Sequence, residues 1–439
     1  MNQANLVETT PGKVAVLGGL RIPFARQNTA YTESSNIDML TAALAGTVER
    51  FGLKGQRLGE VVAGAVLKHS RDANISREAA LSCGLSPQTP AYDIQQACAT
   101  SLQACVLVGN KIALGQIEVG IAAGVDSASD APIALNDKLR RLILRLRRAK
   151  TTGERLSLLS GFRLSMLVPS IPSVNERRTG LSMGEHCELM VKEWHISREA
   201  QDQLAANSHA NGLKAYERGF HVDLLVPFNN LERDNNLRAD STIEKLARLK
   251  PAFDKTSDLG TLTAGNSTPL TDGAASVLLS SEAWAKAHGH QPLAWLIDAE
   301  SAAVDFFGPD PEGLLMAPTY AVARLLKRNG LTLQDFDFYE IHEAFAGQVL
   351  CTLAAWESAD YCRDKLGEDH ALGSIDRSKL NVNGGSVALG HPFAATGARI
   401  VVSAAKQLAE HRASTGQAGR TLISICAAGG LGVAAILEG

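Results

Sequence analysis

The stretch DIQQACATSLQA, residues 93–104, decides how the whole chain is interpreted. Its first residues are typical of a short strand, and the small and apolar residues after Cys98 predict a helix that begins at that cysteine. A second stretch, LNVNGG at residues 380–385, also leads from a strand into a turn, with a helix predicted from about Pro392. The two stretches indicate that the chain contains two related halves.

Strands and helices alternate around both stretches. Helices are predicted over residues 38–51 and 101–114, and buried strands over 14–17, 61–66, 120–125, 276–280, 293–298 and 422–425. Each half closes on a β run rich in Ala and Gly, at 120–126 and 422–432. Between about Asp130 and Arg248 the composition changes to charged helices and loops. The pattern predicts an α/β protein with a mostly helical insertion in its first half.

Composition excludes several classes of protein. The 439 residues are 45% hydrophobic and 20% charged, which excludes global disorder. The 43 basic and 46 acidic side chains give a net charge of −3, so we expect no nucleic-acid partner. Seven cysteines without a short repeated spacing, and no signal-type segment at the start, indicate a reducing, cytoplasmic compartment. No apolar run approaches the roughly 20 residues that a membrane span needs.

Four side chains on turns rich in small residues are candidates for chemistry: Cys98, His342, His391 and Cys426. A helix that starts at Cys98 is expected to favour its thiolate. His391 lies in the glycine-rich turn GHP and is a candidate general base. Taken singly, each residue also fits a structural role, as a small core cysteine, an exposed histidine or part of a helix cap.

Two cysteines and two histidines also raise the question of a zinc site. No pair among them has a zinc-ligand spacing, and the gaps in sequence are about 30 residues or more. A cysteine nucleophile with a base fits better, and we expect no metal. The sequence contains neither a phosphate-binding GxxxxGK[ST] loop nor a convincing dinucleotide-binding GxGxxG unit, so we expect no permanently bound cofactor.

Five segments, taken together, resemble the thiolase family in order and spacing: CATS at 98–101, TAGN to TDGAA at 263–275, HEAF at 342–345, GHP at 390–392 and CAAGG at 426–430. The resemblance covers nearly the whole chain. It implies the thiolase fold, in which duplicated βαβαβαββ halves form five α/β layers with an inserted, mostly helical loop domain. The implied boundaries are 12–128 plus 252–283 for the first half, 129–251 for the loop domain and 284–439 for the second half.

The resemblance also implies a mechanism, the cleavage of a 3-ketoacyl-CoA by CoA through an acyl-cysteine. Cys98 would be the nucleophile and His391 would accept its proton, while Cys426 would protonate the departing acetyl-CoA enolate and later deprotonate CoA. His391 and a water held by His342 would form one oxyanion hole. The backbone amides of Cys98 and Ala428 would form the other.

CoA enters as a co-substrate, and the family's binding positions fall on a set of residues in and near the loop domain. By resemblance the set comprises Met183, Arg238, Phe253, Ala264, Thr268 and Phe345. Lys245 stands where the family has a Ser near the CoA 3′-phosphate, and its charge would suit that phosphate.

His342 departs from the commonest thiolase pattern, which has Asn at this position. The HEAF and CAAGG forms resemble the 3-ketoacyl-CoA thiolase (β) chain of the trifunctional complexes of fatty acid oxidation. This implies β-oxidation, a homodimeric core and a partner chain that carries hydratase and hydroxyacyl-CoA dehydrogenase activities. The alternatives are a biosynthetic acetoacetyl-CoA thiolase, a ketoacyl-ACP synthase, which would lack the second cysteine, and a non-catalytic lipid carrier or scaffold.

A basic stretch over residues 138–163 holds nine Lys or Arg against one Glu. Its first part has the spacing of a basic amphipathic helix, with Leu139, Leu142, Ile143, Leu146 and Ala149 on one arc. We expect it to dock a partner chain or an anionic membrane surface, in line with the corresponding region of trifunctional-type thiolases. The alternative is a solvated helix whose apolar arc packs on its own loop domain.

Overall fold

A computed structural model describes residues 11–439 of the chain. The expectation that no signal-type segment opens the chain falls mainly on residues 1–10, which lie outside the described residues. The described part contains ten strands: β1 Val14–Gly18, β2 Ala25–Arg26, β3 Glu60–Ala63, β4 Ala91–Asp93, β5 Val119–Asp126, β6 Thr271–Ser281, β7 Ala294–Ala303, β8 Phe338–Ile341, β9 Arg420–Ala427 and β10 Leu431–Glu438.

The same residues contain fourteen helices, in addition to short 3₁₀ and π turns. They are α1 Asn36–Arg50, α2 Ile75–Ser82, α3 Thr100–Ala113, α4 Asp137–Arg148, α5 Thr152–Leu159, α6 Met183–Glu193, α7 Arg198–Glu217, α8 Ile243–Leu246, α9 Glu282–Ala287, α10 Ala317–Asn329, α11 Ala346–Glu357, α12 Ala359–Tyr361, α13 Ser386–Leu389 and α14 Thr396–Thr415.

The order of elements shows the predicted duplication. The first half runs β1-α1-β3-α2-β4-α3-β5-β6, and the second runs β7-α10-β8-α11, then α14-β9-β10. In the second half the strand that would match β4 is reduced to one bridge between Leu380 and Tyr339. Both halves end in an antiparallel pair, β5 with β6 and β9 with β10. The strands follow the order β4-β3-β5-β6-β1-β7-β10-β9-β8, with β2 paired to β6.

Helices α3 and α14 form the central layer of the molecule. Their apolar side chains share one buried cluster with strands of both halves. Helices α1 and α2 cover the outer face of the first half, and α10 and α11 cover that of the second. Gly397 permits the close approach of the central helices, because a Cβ there would lie 2.4 Å from the Leu102 nitrogen. The five-layer α/β expectation is therefore confirmed.

Two predicted boundaries differ from the structure for local reasons. The strand predicted over 61–66 ends at Ala63, since the amides of Val66 and Leu67 donate to the carboxylate of Asp126 instead of continuing the ladder. The helix expected from about Pro392 begins at Thr396, after a 3₁₀ turn over Phe393–Ala395. Both differences arise where the chain bends around the candidate site.

The segment between β5 and β6 contains α4 to α8 and is mostly helices and loops, as expected. The basic stretch forms two helices, α4 and α5, and none of their residues is buried. The side chains of the predicted apolar arc on α4 are half-buried or exposed. Within residues 11–439, no helix combines the length and apolar character needed to cross a membrane.

Candidate active site

A cysteine and a histidine from opposite halves lie in direct contact. Cys98 sits in a 3₁₀ turn, Ala97–Ala99, that leads into α3. Its Sγ lies 3.1 Å from Nε2 of His391, although the two residues are 293 positions apart in sequence. A thiol at hydrogen-bond distance from an imidazole nitrogen is the arrangement that a cysteine nucleophile with a general base requires.

His391 is held from two sides. Its backbone N–H donates to Thr271 Oγ1 at 2.8 Å, and its Nδ1 lies 2.6 Å from Thr396 Oγ1. Burial, reinforced by the positive charge of Arg399, lowers the pKa of His391 to about 3. The ring is therefore neutral at physiological pH. In the tautomer that carries its proton on Nδ1, Nδ1–H donates to Thr396 Oγ1 and Nε2 can accept the proton of the thiol.

The thiol of Cys98 differs from the sequence expectation. Burial and the negative charge of Asp126 raise its pKa to about 12, although the backbone amides of Ala428 and Cys98 act in the opposite direction. The expectation that the helix start favours a thiolate is wrong, because the loss of solvation around this only partly exposed thiol outweighs the effect of the two amides. Cys98 therefore rests as a thiol, and an attack by its sulfur would need a base to take the proton.

His342 lies in the same site, beyond His391. The two imidazole rings are 4.2 Å apart between centroids. Nδ1 of His342 lies 2.8 Å from Ser386 Oγ, and Nε2 is buried without a hydrogen-bond partner among the described residues. Burial first, and then the neighbouring His391 imidazole and the positive charge of Arg399, lower the pKa of His342 well below its usual value. His342 is thus neutral, with one ring nitrogen left for a ligand.

Cys426 and Ala428 approach Cys98 from the end of β9. Cys426 is buried and pairs with Gly432 of β10. Burial and the nearby Cys98 raise the pKa of the Cys426 thiol well above its usual value. The backbone amides of Ala428 and Cys98, named above as an oxyanion hole, lie near enough to the Cys98 sulfur to act on its pKa. The structure thus brings all four candidate side chains and this amide pair into one site.

Three of these side chains also meet the distance requirement for a metal site. Ligand atoms of Cys98, His342 and His391 lie within 4.8 Å of one another, the single such group found in residues 11–439. The sequence argument against zinc used the spacing of these residues along the chain. That spacing does not reveal ligand atoms that come together only in the folded structure. The 3.1 Å contact between Sγ and Nε2 nevertheless suits a shared proton, so nucleophile and base remain the better fit.

A cavity of about 360 Å³ opens beside the loop domain. Arg238, Lys245 and Ala264 line it, and Thr268 lies between two lining residues, Ser267 and Pro269. Lys245 Nζ lies 2.9 Å from Asp240, so its charge is already paired. Arg238 makes no ion pair with the described residues. The cavity thus gathers the predicted polar contacts.

The apolar members of the predicted binding set form a separate group next to Cys426. The rings of Phe253 and Phe345 meet edge to face at 5.6 Å, and Met183 packs on the same buried cluster. Thr268 joins this group to the cavity, because its N–H and hydroxyl both donate to the Ala344 carbonyl at 3.1 Å. The seven residues therefore divide between a polar cavity and an apolar wall.

Comparison with known families identifies the family to which the chain belongs. The family model described as thiolase, N-terminal domain, matches residues 14–283, and the one described as thiolase, C-terminal domain, matches residues 291–439. The chain belongs to the thiolase family. A thiolase is an acyltransferase, and the contact between Cys98 and His391 has the geometry that a nucleophile and its base require.

Full-length relatives support the assignment. This thiolase is 43% identical over 432 residues to a 3-ketoacyl-CoA thiolase of Photorhabdus laumondii, covering 97% of each chain. It is 41% identical to a 3-ketoacyl-CoA thiolase of Yersinia enterocolitica, covering 99% of this chain and 98% of that one. The crystal structure of the Bacillus anthracis acetyl-CoA acetyltransferase superposes with a TM-score of 0.79 at 32% identity, covering 98% of this thiolase and 99% of that chain.

Several residues that shape the thiolase site were missed from the sequence. Arg26, His209 and Asn236 line the cavity. Ser386 contacts His342 directly, and Arg399 is connected to His342 through Ser386. Thr271, which holds His391, lies inside the 263–275 segment that resembles the thiolase family, whereas Thr396 lies beyond the GHP segment at 390–392. The others carry no local signal, because their roles come from contacts with distant parts of the chain.

Proposed function

We propose that this thiolase cleaves 3-ketoacyl-CoA substrates with CoA, giving acetyl-CoA and a shortened acyl-CoA in fatty acid β-oxidation. The Cys98 proton passes to His391 as sulfur attacks the 3-keto carbon. The bond between C2 and C3 then breaks, and the enolate of acetyl-CoA takes a proton from Cys426. CoA gives its thiol proton to Cys426 and attacks the acyl-cysteine, which releases the shortened acyl-CoA, and Cys98 leaves as a thiolate that takes its proton back from His391.

One observation carries this proposal, the 3.1 Å contact of Cys98 Sγ with His391 Nε2 beside the second buried cysteine. A nucleophile and its base alone would serve many acyl transfers. The additional thiol supplies an acid and base on the other side of the substrate, as a carbon–carbon cleavage needs. CoA is the co-substrate, and a permanently bound cofactor and a metal are not part of the mechanism.

A biosynthetic acetoacetyl-CoA thiolase is the second candidate, favoured by the structural likeness to an acetyl-CoA acetyltransferase. Thiolysis rates over a series from acetoacetyl-CoA to 3-ketohexadecanoyl-CoA separate the two. We expect kcat/KM to rise with chain length, because longer acyl chains bury more apolar surface. A preference for acetoacetyl-CoA over every longer substrate would instead establish the biosynthetic candidate, and no turnover of any substrate would leave a scaffold or lipid carrier.

We expect Arg238 to contribute more to CoA binding than Lys245. Arg238→Ala should raise the KM for CoA by about ten-fold, since a charge-assisted hydrogen bond to phosphate is lost. Lys245→Ala should change it by less than about three-fold, because Asp240 already neutralises that ammonium group. Steady-state kinetics with CoA as the varied substrate measure both. A larger effect of Lys245→Ala would mean that Lys245 leaves Asp240 for the phosphate.

The oligomeric core is proposed to be a homodimer. Strand β4 lies at one end of the sheet, and its residues are only half-buried. A strand edge next to Cys98 can pair its outward N–H and C=O groups with a second copy of the chain. We further propose the division into residues 12–128 plus 252–283, 129–251 and 284–439. A cytoplasmic location is supported by the seven cysteines, all of which are free thiols.

We propose that the loop domain docks the partner chain that carries the hydratase and hydroxyacyl-CoA dehydrogenase activities. Residues 133–174 hold eleven of the twenty large hydrophobic side chains that are exposed in the described part of the chain. The nine basic residues of 138–163 lie in the same stretch of the chain. Exposed apolar side chains together with basic ones are typical of an interaction site and suit an acidic partner surface. Peripheral contact with an anionic membrane is the other candidate role of this surface.

Changing Arg141, Arg145 and Arg148 to Glu should abolish co-purification of the partner chain and leave thiolysis of free substrates within about two-fold, because α4 carries no active-site residue. The matched control changes three exposed basic residues outside the loop domain, Lys54, Arg57 and Lys286, to Glu. Sedimentation with anionic vesicles at low salt tests the membrane role in parallel. Unchanged assembly and vesicle binding of the triple variant would leave a solvated helix with no docking role.

A further inference from the structure

His342 is connected to a buried arginine through one serine. Ser386 Oγ lies 2.8 Å from His342 Nδ1, and Arg399 Nη2 donates to the same oxygen at 2.9 Å. His342 and Ser386 are 0% exposed and Arg399 is 2% exposed. No role in the mechanism has been given to either Ser386 or Arg399. Their arrangement determines where the proton of His342 resides.

The argument begins at the serine oxygen. A guanidinium group has only donors, so Arg399 must donate to Ser386 Oγ. The hydroxyl can then either donate its own proton to His342 Nδ1 or accept one from it. The structure gives Ser386 Oγ no third partner within the described residues. If Nδ1 carried the proton, the serine O–H would be buried without an acceptor.

The two arrangements therefore differ in the number of unsatisfied buried groups. With Nδ1 protonated, both the Ser386 hydroxyl proton and the lone pair of His342 Nε2 lack a partner. With Ser386 donating to Nδ1, only the Nε2–H remains without one. Each unsatisfied buried polar group is costly, so the second arrangement is favoured. The charge of Arg399 also disfavours the imidazolium form, in which both nitrogens would be protonated.

We propose that Ser386 and Arg399 are positioning residues that hold neutral His342 as its Nε2–H tautomer. His342 then faces the Cys98–His391 pair as a hydrogen-bond donor. The proposal rests on the proposed function for what receives this bond, which is the substrate oxygen or the water that contacts it. If Nε2 of His342 were unprotonated, it would be an acceptor, and the site would lack this donor to stabilise negative charge on oxygen.

Glu340 does not form a tight ion pair with Arg399, whose guanidinium group is therefore able to donate to Ser386. The closest approach of their charged groups is 4.0 Å, and burial raises the pKa of Glu340 to about 7. Nε of Arg399 has no hydrogen-bond partner among the described residues. Arg399 thus lacks a tight carboxylate pair, and Ser386 is the side chain to which it donates. A buried arginine without a tight carboxylate pair is uncommon, and this supports a role for Arg399 at the site.

Nitrogen NMR on the full-length protein with 15N-labelled histidine tests the tautomer without any assay of activity. The His342 signals are assigned by their loss in His342→Asn. We expect a protonated Nε2 and an unprotonated Nδ1 in the parent, and a change in the populations of the two tautomers in Ser386→Ala. Ser280→Ala is the control, because Ser280 is equally buried and lies in β6 away from the site. A protonated Nδ1 in the parent would overturn the proposal.

A double-mutant cycle tests whether Ser386 acts through His342. Ser386→Ala should lower kcat about ten-fold with little change in the KM for CoA, a smaller loss than removal of an oxyanion donor, since the correct tautomer stays partly populated. In a His342→Asn background the same change should cost less than about three-fold, because an amide has no tautomer to set. Equal losses in both backgrounds would show a merely structural serine. If neither parent shows thiolysis, the proposed function fails while the NMR result still decides the tautomer.

Discussion

Replacing Cys98 with Ala is expected to lower thiolysis by about ten-thousand-fold or more, which is the largest effect we expect from any single change. The substitution removes the sulfur that forms the acyl-enzyme and leaves His391 without a thiol from which to take a proton. The neighbouring groups that stabilise the transition state then have no covalent intermediate on which to act. Single-turnover thiolysis with purified variant measures the loss.

Mass spectrometry identifies the acylated residue directly. After incubation of the parent with a 3-ketoacyl-CoA and no free CoA, the acyl group should appear on the peptide that contains residue 98. Cys83→Ala is the matched control, because Cys83 is a buried thiol of the same half, in the cluster beneath α1 and α2, and its loss should leave the label in place. An acyl group found on another cysteine in Cys98→Ala would contradict the assignment.

The second large effect is expected for Cys426→Ala, which should slow complete thiolysis by about a hundred- to ten-thousand-fold. In this variant Cys98 and His391 are intact, so the sulfur can still attack. The acetyl-CoA enolate lacks its proton donor, and CoA lacks the base that would activate its thiol. Some acylation of Cys98 should therefore persist while transfer of the acyl group to CoA nearly stops.

The two half-reactions can be measured separately. Acylation is followed by mass spectrometry, and deacylation by adding CoA to an isolated acyl-enzyme. Cys351→Ala serves as the control, because Cys351 is a buried thiol of the same apolar cluster and has no proposed role in proton transfer. Equal loss of acylation and deacylation in Cys426→Ala would argue against its role as an acid and base.

The local features of the site could be predicted because each of them depends on a short segment of sequence. The stretch around Cys98 has the residues of a strand, a turn and a helix start, and the structure has β4, a 3₁₀ turn and α3 there. The GHP segment predicts a tight turn before a helix. The glycine-rich CAAGG segment likewise predicts the end of a strand. Each of these predictions depends on neighbours a few residues away, which a sequence displays directly.

The electrostatics could not be predicted in the same way. A helix start favours a thiolate when the thiol is well solvated, whereas Cys98 is only partly exposed and lies near buried Asp126. Lys245 has a charge that suits a phosphate, but Asp240 pairs with it five residues earlier. In both cases the type of residue shows which charge it can carry, but the electrostatic field that acts on it depends on its surroundings in the folded protein.

The sequence by itself determined the α/β class, the duplicated halves with their helical insertion and the four side chains of the site, because periodicity and short motifs are local properties. Tertiary structure decided which of those side chains touch, which protons they carry and which residues support them. Cys98 and His391 meet across 293 positions, and His342 depends on Ser386 and, through it, Arg399. These contacts form because α3 and α14 pack together in one central layer, and no pattern along the chain encodes the dielectric and the partners that this packing creates.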